Sequence, residues 1–340
     1  MDKKRVLMLC PTFFGYQKVI AEGLRAQGYE VDLYDERPGN SFVIKTLLRY
    51  RLPLHRAVVR RYYDRIMAEN RDRDYDYVFV IKCESIDHEQ IERMRALYPR
   101  AKFILYLWDS LRNTPGGLEK MADYDRVLTF DPADAEKYRL PLRPLFCMNG
   151  IPEKEEPVEF QYDVAFVGTA HSIRPRVVKQ VEAFCREKGY RMFYYFYSPH
   201  PLVYLYFKLT NPDYRYITKK DVHFESLSSR EVREIYRRSR CILDVEHVRQ
   251  SGLTPRPVDM LGVRRKLITT NERVKQFDFY LPENYLIIDR DHPVIDEAFL
   301  KSPYREVDPA ITRRYTLDAF LRELFEEGLF SEKPPLERNF

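Results

Sequence analysis

Residues 5–34 read RVLMLCPTFFGYQKVIAEGLRAQGYEVDLY. The run Val6–Leu9 is apolar without alternation, the pattern of a strand buried on both faces. Val19, Ile20 and Leu24 then recur at helical spacing, Gly28 stops the helix, and Glu30–Tyr34 reads as a second strand. Strand, helix, strand in so short a span is the repeating unit of a parallel sheet. The alternation continues through the strand-like runs Tyr77–Ile81, Phe103–Leu107 and Arg126–Phe130, with a helix carrying Ile91 and Met94 after the first of them.

The pattern then restarts. Tyr162–Val167 reads as a strand ended by Gly168-Thr169, Val177 and Val181 mark a helix, and Met192–Tyr197, Cys241–Val245 and Lys266–Thr270 read as further strands. Between the two series lies Asn149–Pro157, polar, acidic and carrying two prolines, the composition of a linker. The expectation is an α/β protein of two doubly wound, Rossmann-like domains facing a cleft. They span 1–150 and 160–330, and 331–340 is a loose tail. In such sheets ligands sit beyond the carboxyl ends of the strands, which makes the cleft the expected site.

Composition narrows the function. The chain has 340 residues, enough for two cores, and 57 basic against 52 acidic residues leave a net charge of +5. So mild a balance does not argue for nucleic acid, and no nucleic-acid partner is expected, while anionic ligands or membrane surfaces are allowed. No apolar run is long enough to cross a bilayer, and the short N-terminal run before Cys10-Pro11 suits a strand better than a secretion signal. A cytoplasmic protein is expected, in contact with the membrane at most from its inner face. Five scattered cysteines, none in a C-x-x-C pair, suggest neither zinc site nor disulfide framework.

Two segments carry phosphate-binding chemistry. In Asp244–Gly262 a strand ends in a polar loop holding His247, Arg249, Ser251 and Gly252. Thr254 and Pro255 then fit the cap and first position of a helix, with Arg256 in its first turn and Asp259 beyond. A helix N-terminus attracts anions, and an arginine there adds a bidentate contact. The second segment, Gly168-Thr169-Ala170-His171-Ser172-Ile173-Arg174-Pro175-Arg176, opens the second domain. Gly168 admits a ligand close to the backbone, Arg174 and Arg176 reach phosphate, and His171 and His247 bind phosphate or move protons. A glycine-rich G-x-G-x-x-G loop is absent after the first strand, which argues against an NAD-dependent dehydrogenase.

The run Met260-Leu261-Gly262 followed by Arg264–Asn271 (RRKLITTN) resembles the donor-binding region of GT-B glycosyltransferases. Pro11–Tyr16, Leu107-Trp108-Asp109-Ser110, Phe166–Thr169 and Ser251–Thr254 agree with it. The likeness is to bacterial capsule, exopolysaccharide and lipopolysaccharide transferases, and runs across most of the chain. It implies transfer of a sugar from a diphosphate-activated donor onto a glycan or lipid-linked acceptor in surface-polysaccharide synthesis, with no cofactor and no metal. The paired glutamates of many retaining members are missing, since Ser251 and Asp259 stand at those positions. A nucleotide sugar is the default donor. Arg174, Arg176, Arg249 and Arg256 also allow 5-phosphoribosyl diphosphate, and a catalytically inactive glycan-binding or scaffold module is the alternative to an enzyme.

Transfer to a hydroxyl requires a positioned base. Asp109, beside Trp108, and Glu84, after Lys82-Cys83, follow strand ends in the first domain and are the candidates, with Trp108 and Lys82 on the acceptor side. Asp109-Ser110 also fits a plain helix cap, and Lys82 and Glu84 a structural pair. The segment 193–209, crowded with Tyr and Phe, is expected as a membrane-facing or glycan-stacking surface through Tyr204, Leu205, Phe207 and Leu209, with Lys208 reaching lipid phosphate. A core or dimer contact is its plain alternative. The arginines at 56, 60, 61 and 65 suit either a lipid-facing or a merely solvated helix.

Overall fold

The computed structural model describes residues 3–41, 44, 47–48, 53–114, 116–153, 158–246 and 252–326. The chain divides into two compact units, 1–144 with 317–340, and 145–316. Of the expected site residues, His247, Arg249 and Ser251 lie outside the described residues, as do part of the linker and the tail.

The first unit is built on β1 (Arg5–Leu9), α1 (Tyr16–Ala26), β2 (Glu30–Tyr34), α2 (His55–Glu69), β3 (Tyr77–Ile81), α3 (His88–Leu97), β4 (Lys102–Leu107), α4 (Gly117–Lys120), β5 (Arg126–Thr129) and α5 (Pro132–Tyr138). Its sheet runs β2-β1-β3-β4-β5, every pairing parallel. Order reverses between β1 and β3, the flavodoxin-like switch point. The apolar runs seen in the sequence are the central strands: Val6–Leu9 and Phe103–Leu107 are wholly buried, each large aliphatic side chain worth ~1.5–3 kcal/mol.

The second unit holds β6 (Tyr162–Thr169), α6 (Arg174–Glu187), β7 (Met192–Tyr197), α7 (Pro201–Thr210), β8 (Val222–His223), α8 (Ser229–Arg237), β9 (Ser239–Asp244), α9 (Pro255–Val263), β10 (Lys266–Thr269), β11 (Tyr285–Ile287), α10 (Glu297–Lys301) and α11 (Pro309–Arg314). Its order, β11-β10-β9-β6-β7-β8, is again all parallel and reverses between β6 and β9. This is the six-stranded dinucleotide-binding order.

Both ends of the second unit differ from the sequence expectation. Residues 145–153 dock on it: Cys147 N–H donates to Tyr315 O at 2.8 Å and Met148 N–H to Asp259 Oδ1 at 3.2 Å. Gly262 lets this segment come close, because a Cβ there would collide with Cys147 Sγ and the Gly150 carbonyl. The last described helix, α12 (Leu317–Phe325), belongs to the first unit and not to the second. Its Phe320 packs edge-on to Tyr106 at 5.0 Å, and buried Arg126 donates to the Leu324 and Glu326 carbonyls that the helix end leaves open.

Candidate functional site

At the switch point of the second unit, β6 ends in Gly168-Thr169 and β9 in Asp244. Asp244 is fully buried and organises what surrounds it. Its Oδ1 accepts from Arg256 Nη1 and from the Thr254 hydroxyl at 3.1 Å, and its Oδ2 from the Thr269 hydroxyl at 3.1 Å. Arg256 also donates through Nε to Tyr236 Oη at 3.0 Å and through Nη2 to Val167 O at 2.7 Å. Arg256 was expected to face a phosphate. Its three nitrogens are instead bonded inside the fold, one to the buried carboxylate at the adjoining strand end, one to the Tyr236 hydroxyl and one to the Val167 carbonyl.

Arg174 differs. It opens α6, is buried, and donates only to carbonyls, Nε to Val245 O at 2.8 Å and Nη1 to Thr169 O at 3.3 Å. No carboxylate pairs with it among the described residues. Burial, with Arg256 nearby, pushes its guanidinium down to about 10, still charged at neutral pH. Next in this cluster, Glu246 accepts from Arg290 and from the Thr270 hydroxyl. Asp244 thus pairs with Arg256 and Glu246 with Arg290, while Arg174 donates to carbonyls. A Cβ on Gly168 would lie 3.0 Å from the Phe166 ring and 3.5 Å from Arg174 Nη1 and Arg256 Nη2, so the bare glycine lets the strand end pack closely against both guanidiniums.

Arg176 is turned elsewhere. Its guanidinium pairs with Asp213 at 3.0 Å and Asp291 at 2.8 Å. His171 and Ser172, the latter at φ 52°, lie in the loop between Thr169 and Arg174. The N-terminus of α9 offers less than its position suggests. Pro255 and Pro257 have no N–H, so two of the donors that a helix start normally presents are missing. Asp259, half-buried on the same helix, has its carboxyl pushed up to about 7 by desolvation, against the pull of the Met148 N–H and Arg256.

In the first unit, β3 and β4 end side by side, and the expected residues meet there. Lys82 Nζ lies 2.8 Å from Asp109 Oδ2 and 3.3 Å from Glu84 Oε2, while Arg37 Nη1 is 3.8 Å from the same Glu84 oxygen. Burial works to lower the Lys82 ammonium, but Asp109 and Glu84 outweigh it and hold the group above the usual lysine range. Lys82 and Cys83 both have positive φ, 80° and 46°, a pairing that costs non-glycine residues energy and here bends the chain so that Lys82 meets Asp109. Asp109 does not cap the following turn: the Leu111 N–H is taken by Asp134 Oδ2 at 2.7 Å.

Trp108 stands edge-on to Tyr16 at 5.0 Å, and Tyr16 stacks on Phe13 at 6.2 Å. Phe13 and Phe14 are 44% and 56% exposed, an apolar face unusual for a loop. Sequence reading gave this aromatic pair, Asp244 and Glu246 no separate role. The signals were there: a carboxylate at the last position of a buried strand, and two adjacent aromatics before Gly15.

The segment 193–209 proves to be two things. Residues 192–197 form β7, an inner strand, whereas α7 has no buried residue. Tyr204 and Phe207 pack inward near Tyr214, at 6.1 and 5.6 Å between rings, and Lys208 Nζ is held by the Tyr214 and Ile217 carbonyls. Lys208 Nζ is thus engaged within its own unit. The α2 arginines at 56, 60, 61 and 65 are exposed, with Glu89 and Glu69 near Arg60 and Arg65. Burial pushes the Cys83, Cys185 and Cys241 thiols up to about 12, which leaves them unreactive. Among the described residues no group of three His, Cys, Asp or Glu side chains could hold a metal ion, and no helix is long and apolar enough to cross a membrane.

No protein-family model and no curated protein matches the chain in sequence. Solved structures do match in fold. The complex of Anabaena Alr3699/HepE with UDP-glucose superposes with a TM-score of 0.62 at 10% identity, over 94% of this chain and 98% of that one. Methanocaldococcus jannaschii UDP-GlcNAc 2-epimerase, solved with UDP-GlcNAc and UDP, superposes at 0.55 and 11% identity, over 95% and 99%. With its two doubly wound parallel sheets, the chain has the GT-B-like α/β fold.

Proposed function

We propose that the protein is a glycosyltransferase that moves a sugar from a diphosphate-activated donor onto a glycan or lipid-linked acceptor of a bacterial surface polysaccharide. The observation that carries the reading is Arg174: a buried cation with no carboxylate paired to it among the described residues, next to Gly168 at the carboxyl end of β6 where strand order reverses. A site that bears this cost in the free protein is built to receive an anion.

In the reaction the acceptor hydroxyl oxygen attacks the anomeric carbon, the bond from that carbon to the donor phosphate breaks, and the diphosphate leaves with the electron pair. Arg174 stabilises the growing negative charge, and Gly168 and Thr169 let the diphosphate approach. The hydroxyl proton passes to a carboxylate of the first unit. Asp109 is the first candidate and Glu84 the second, with Lys82 fixing both and Trp108 with Phe13 offering flat faces to a sugar ring. Arg176 and Arg256 already have carboxylates, which favours the two phosphates of a nucleotide sugar over the three of 5-phosphoribosyl diphosphate.

A thermal-shift panel of nucleoside diphosphates, nucleotide sugars and phosphoribosyl diphosphate tests the reading. A true donor at about 100 times its Kd adds ~2.7 kcal/mol of stability. Stabilisation by a nucleotide sugar, followed by slow hydrolysis of it without acceptor, is the expected result. Stabilisation by glycans alone, with no hydrolysis, identifies a non-catalytic glycan-binding module instead.

A further inference from the structure

Helix α7 presents an apolar stripe that no described residue of its own unit covers. Leu202, Leu205, Tyr206 and Leu209 follow the i, i+3, i+4, i+7 spacing of one helical face and are 67%, 50%, 61% and 78% exposed. The opposite face is satisfied, with Tyr204 and Phe207 against Tyr214. The helix rests on the turn Pro212–Tyr216, which leads to a second turn, Lys219–Asp221. These turns carry exposed Arg215, Lys219 and Lys220. Their acids are already neutralised: Asp213 pairs with Arg176, and Asp221 with Lys179 and Tyr194. What remains exposed on these turns is thus positive.

We infer that the exposed face of α7, with Arg215, Lys219 and Lys220, docks the protein on an anionic lipid surface. Three leucines and a tyrosine on one face suit insertion at the level of the head groups, with the cations meeting lipid phosphates. A second copy of the chain fits worse. Four side chains of one short helix fall well short of the ~800 Å² per partner that a stable dimer buries. A two-fold contact through this patch also brings each cluster of cations toward its own copy. The inference concerns a different surface from the donor site and needs no donor to be tested.

The test is co-sedimentation of the full chain with vesicles of phosphatidylcholine alone or mixed with equimolar phosphatidylglycerol. Wild type is expected to bind the anionic vesicles, to bind neutral ones at least ~10-fold more weakly, and to lose affinity as salt rises from about 0.05 to 0.5 M. Leu205→Ser with Leu209→Ser, and separately Lys219→Glu with Lys220→Glu, should each lower anionic-vesicle affinity ~10-fold or more. Because all four side chains are exposed, melting temperature and donor-induced stabilisation should not change. Failure of wild type to bind anionic vesicles overturns the inference, as does unchanged binding by both variants. Sedimentation velocity showing a dimer that the leucine variant dissociates overturns it in favour of a second copy.

Discussion

Replacing Arg256 with alanine is expected to damage the fold before it damages donor binding. Arg256 supplies the sole cationic partner, among the described residues, of a fully buried carboxylate and also bonds Tyr236 Oη and Val167 O. Without it, the Asp244 carboxylate keeps, among the described residues, the Thr254 and Thr269 hydroxyls. Breaking a buried pair by removing one member costs ~3–5 kcal/mol. For a unit the size of 145–316 each kcal/mol moves the transition by ~2–4 °C, so the expected fall is about 6–20 °C by calorimetry. Amide exchange should speed up first along β6 and β9. The double variant Asp244→Asn with Arg256→Met, which removes both charges, should regain at least half of the loss, because uncharged replacements of buried pairs are often close to neutral. An Arg256→Ala protein that melts like wild type, or a double variant that merely adds two losses, refutes this account of the pair.

Other outcomes follow from single side chains. Asp109→Asn should lower turnover ~10²–10⁴-fold with donor affinity kept, since Asp109 caps no helix; near-normal turnover moves the base to Glu84. Asp259→Asn should tell through pH. The folded carboxyl titrates at about 7, well above its unfolded value near 3.9, so its stabilising protonated form is complete below about pH 4 and is lost as pH rises through 7. The stability of the variant relative to wild type should therefore grow by ~1–4 kcal/mol between pH 5 and 8 in urea titrations, and a flat difference contradicts it. Gly23→Ala should cost ~1–3 kcal/mol, because its Cβ would lie 2.6 Å from Leu317 Cδ2 and 2.9 Å from Leu321 Cδ1; full stability would mean that α12 does not pack there.

How much of this was legible depends on what a residue type alone can say. Strands buried on both faces announce themselves as apolar runs, so β1, β3, β4, β6 and β9 could be read directly. The edge strands β8 and β11 could not, because two or three residues at the rim of a sheet need no such run. At the site, position was legible and direction was not. The sequence puts Arg174, Arg176 and Arg256 at the starts of the two helices α6 and α9 with equal force. Which of them keeps a free charge depends on Asp213, Asp291 and Asp244, and only the folded chain brings these to them. Lys82 and Asp109, far apart in the chain, likewise meet only because β3 and β4 are neighbours.

If Arg174 holds the donor diphosphate, Arg174→Met, which keeps the length and removes the charge, should separate donor binding from stability. Burial and the neighbouring Arg256 make that charge costly to the folded protein, so methionine should leave thermal stability unchanged or raise it. Calorimetric affinity for the best nucleotide sugar should meanwhile fall ~10–150-fold, the ~1.5–3 kcal/mol of one charge-assisted contact. A protein that is as stable as wild type and binds donor less tightly is the predicted result. An equally stable protein with unchanged donor affinity would show that Arg174 does not hold the donor.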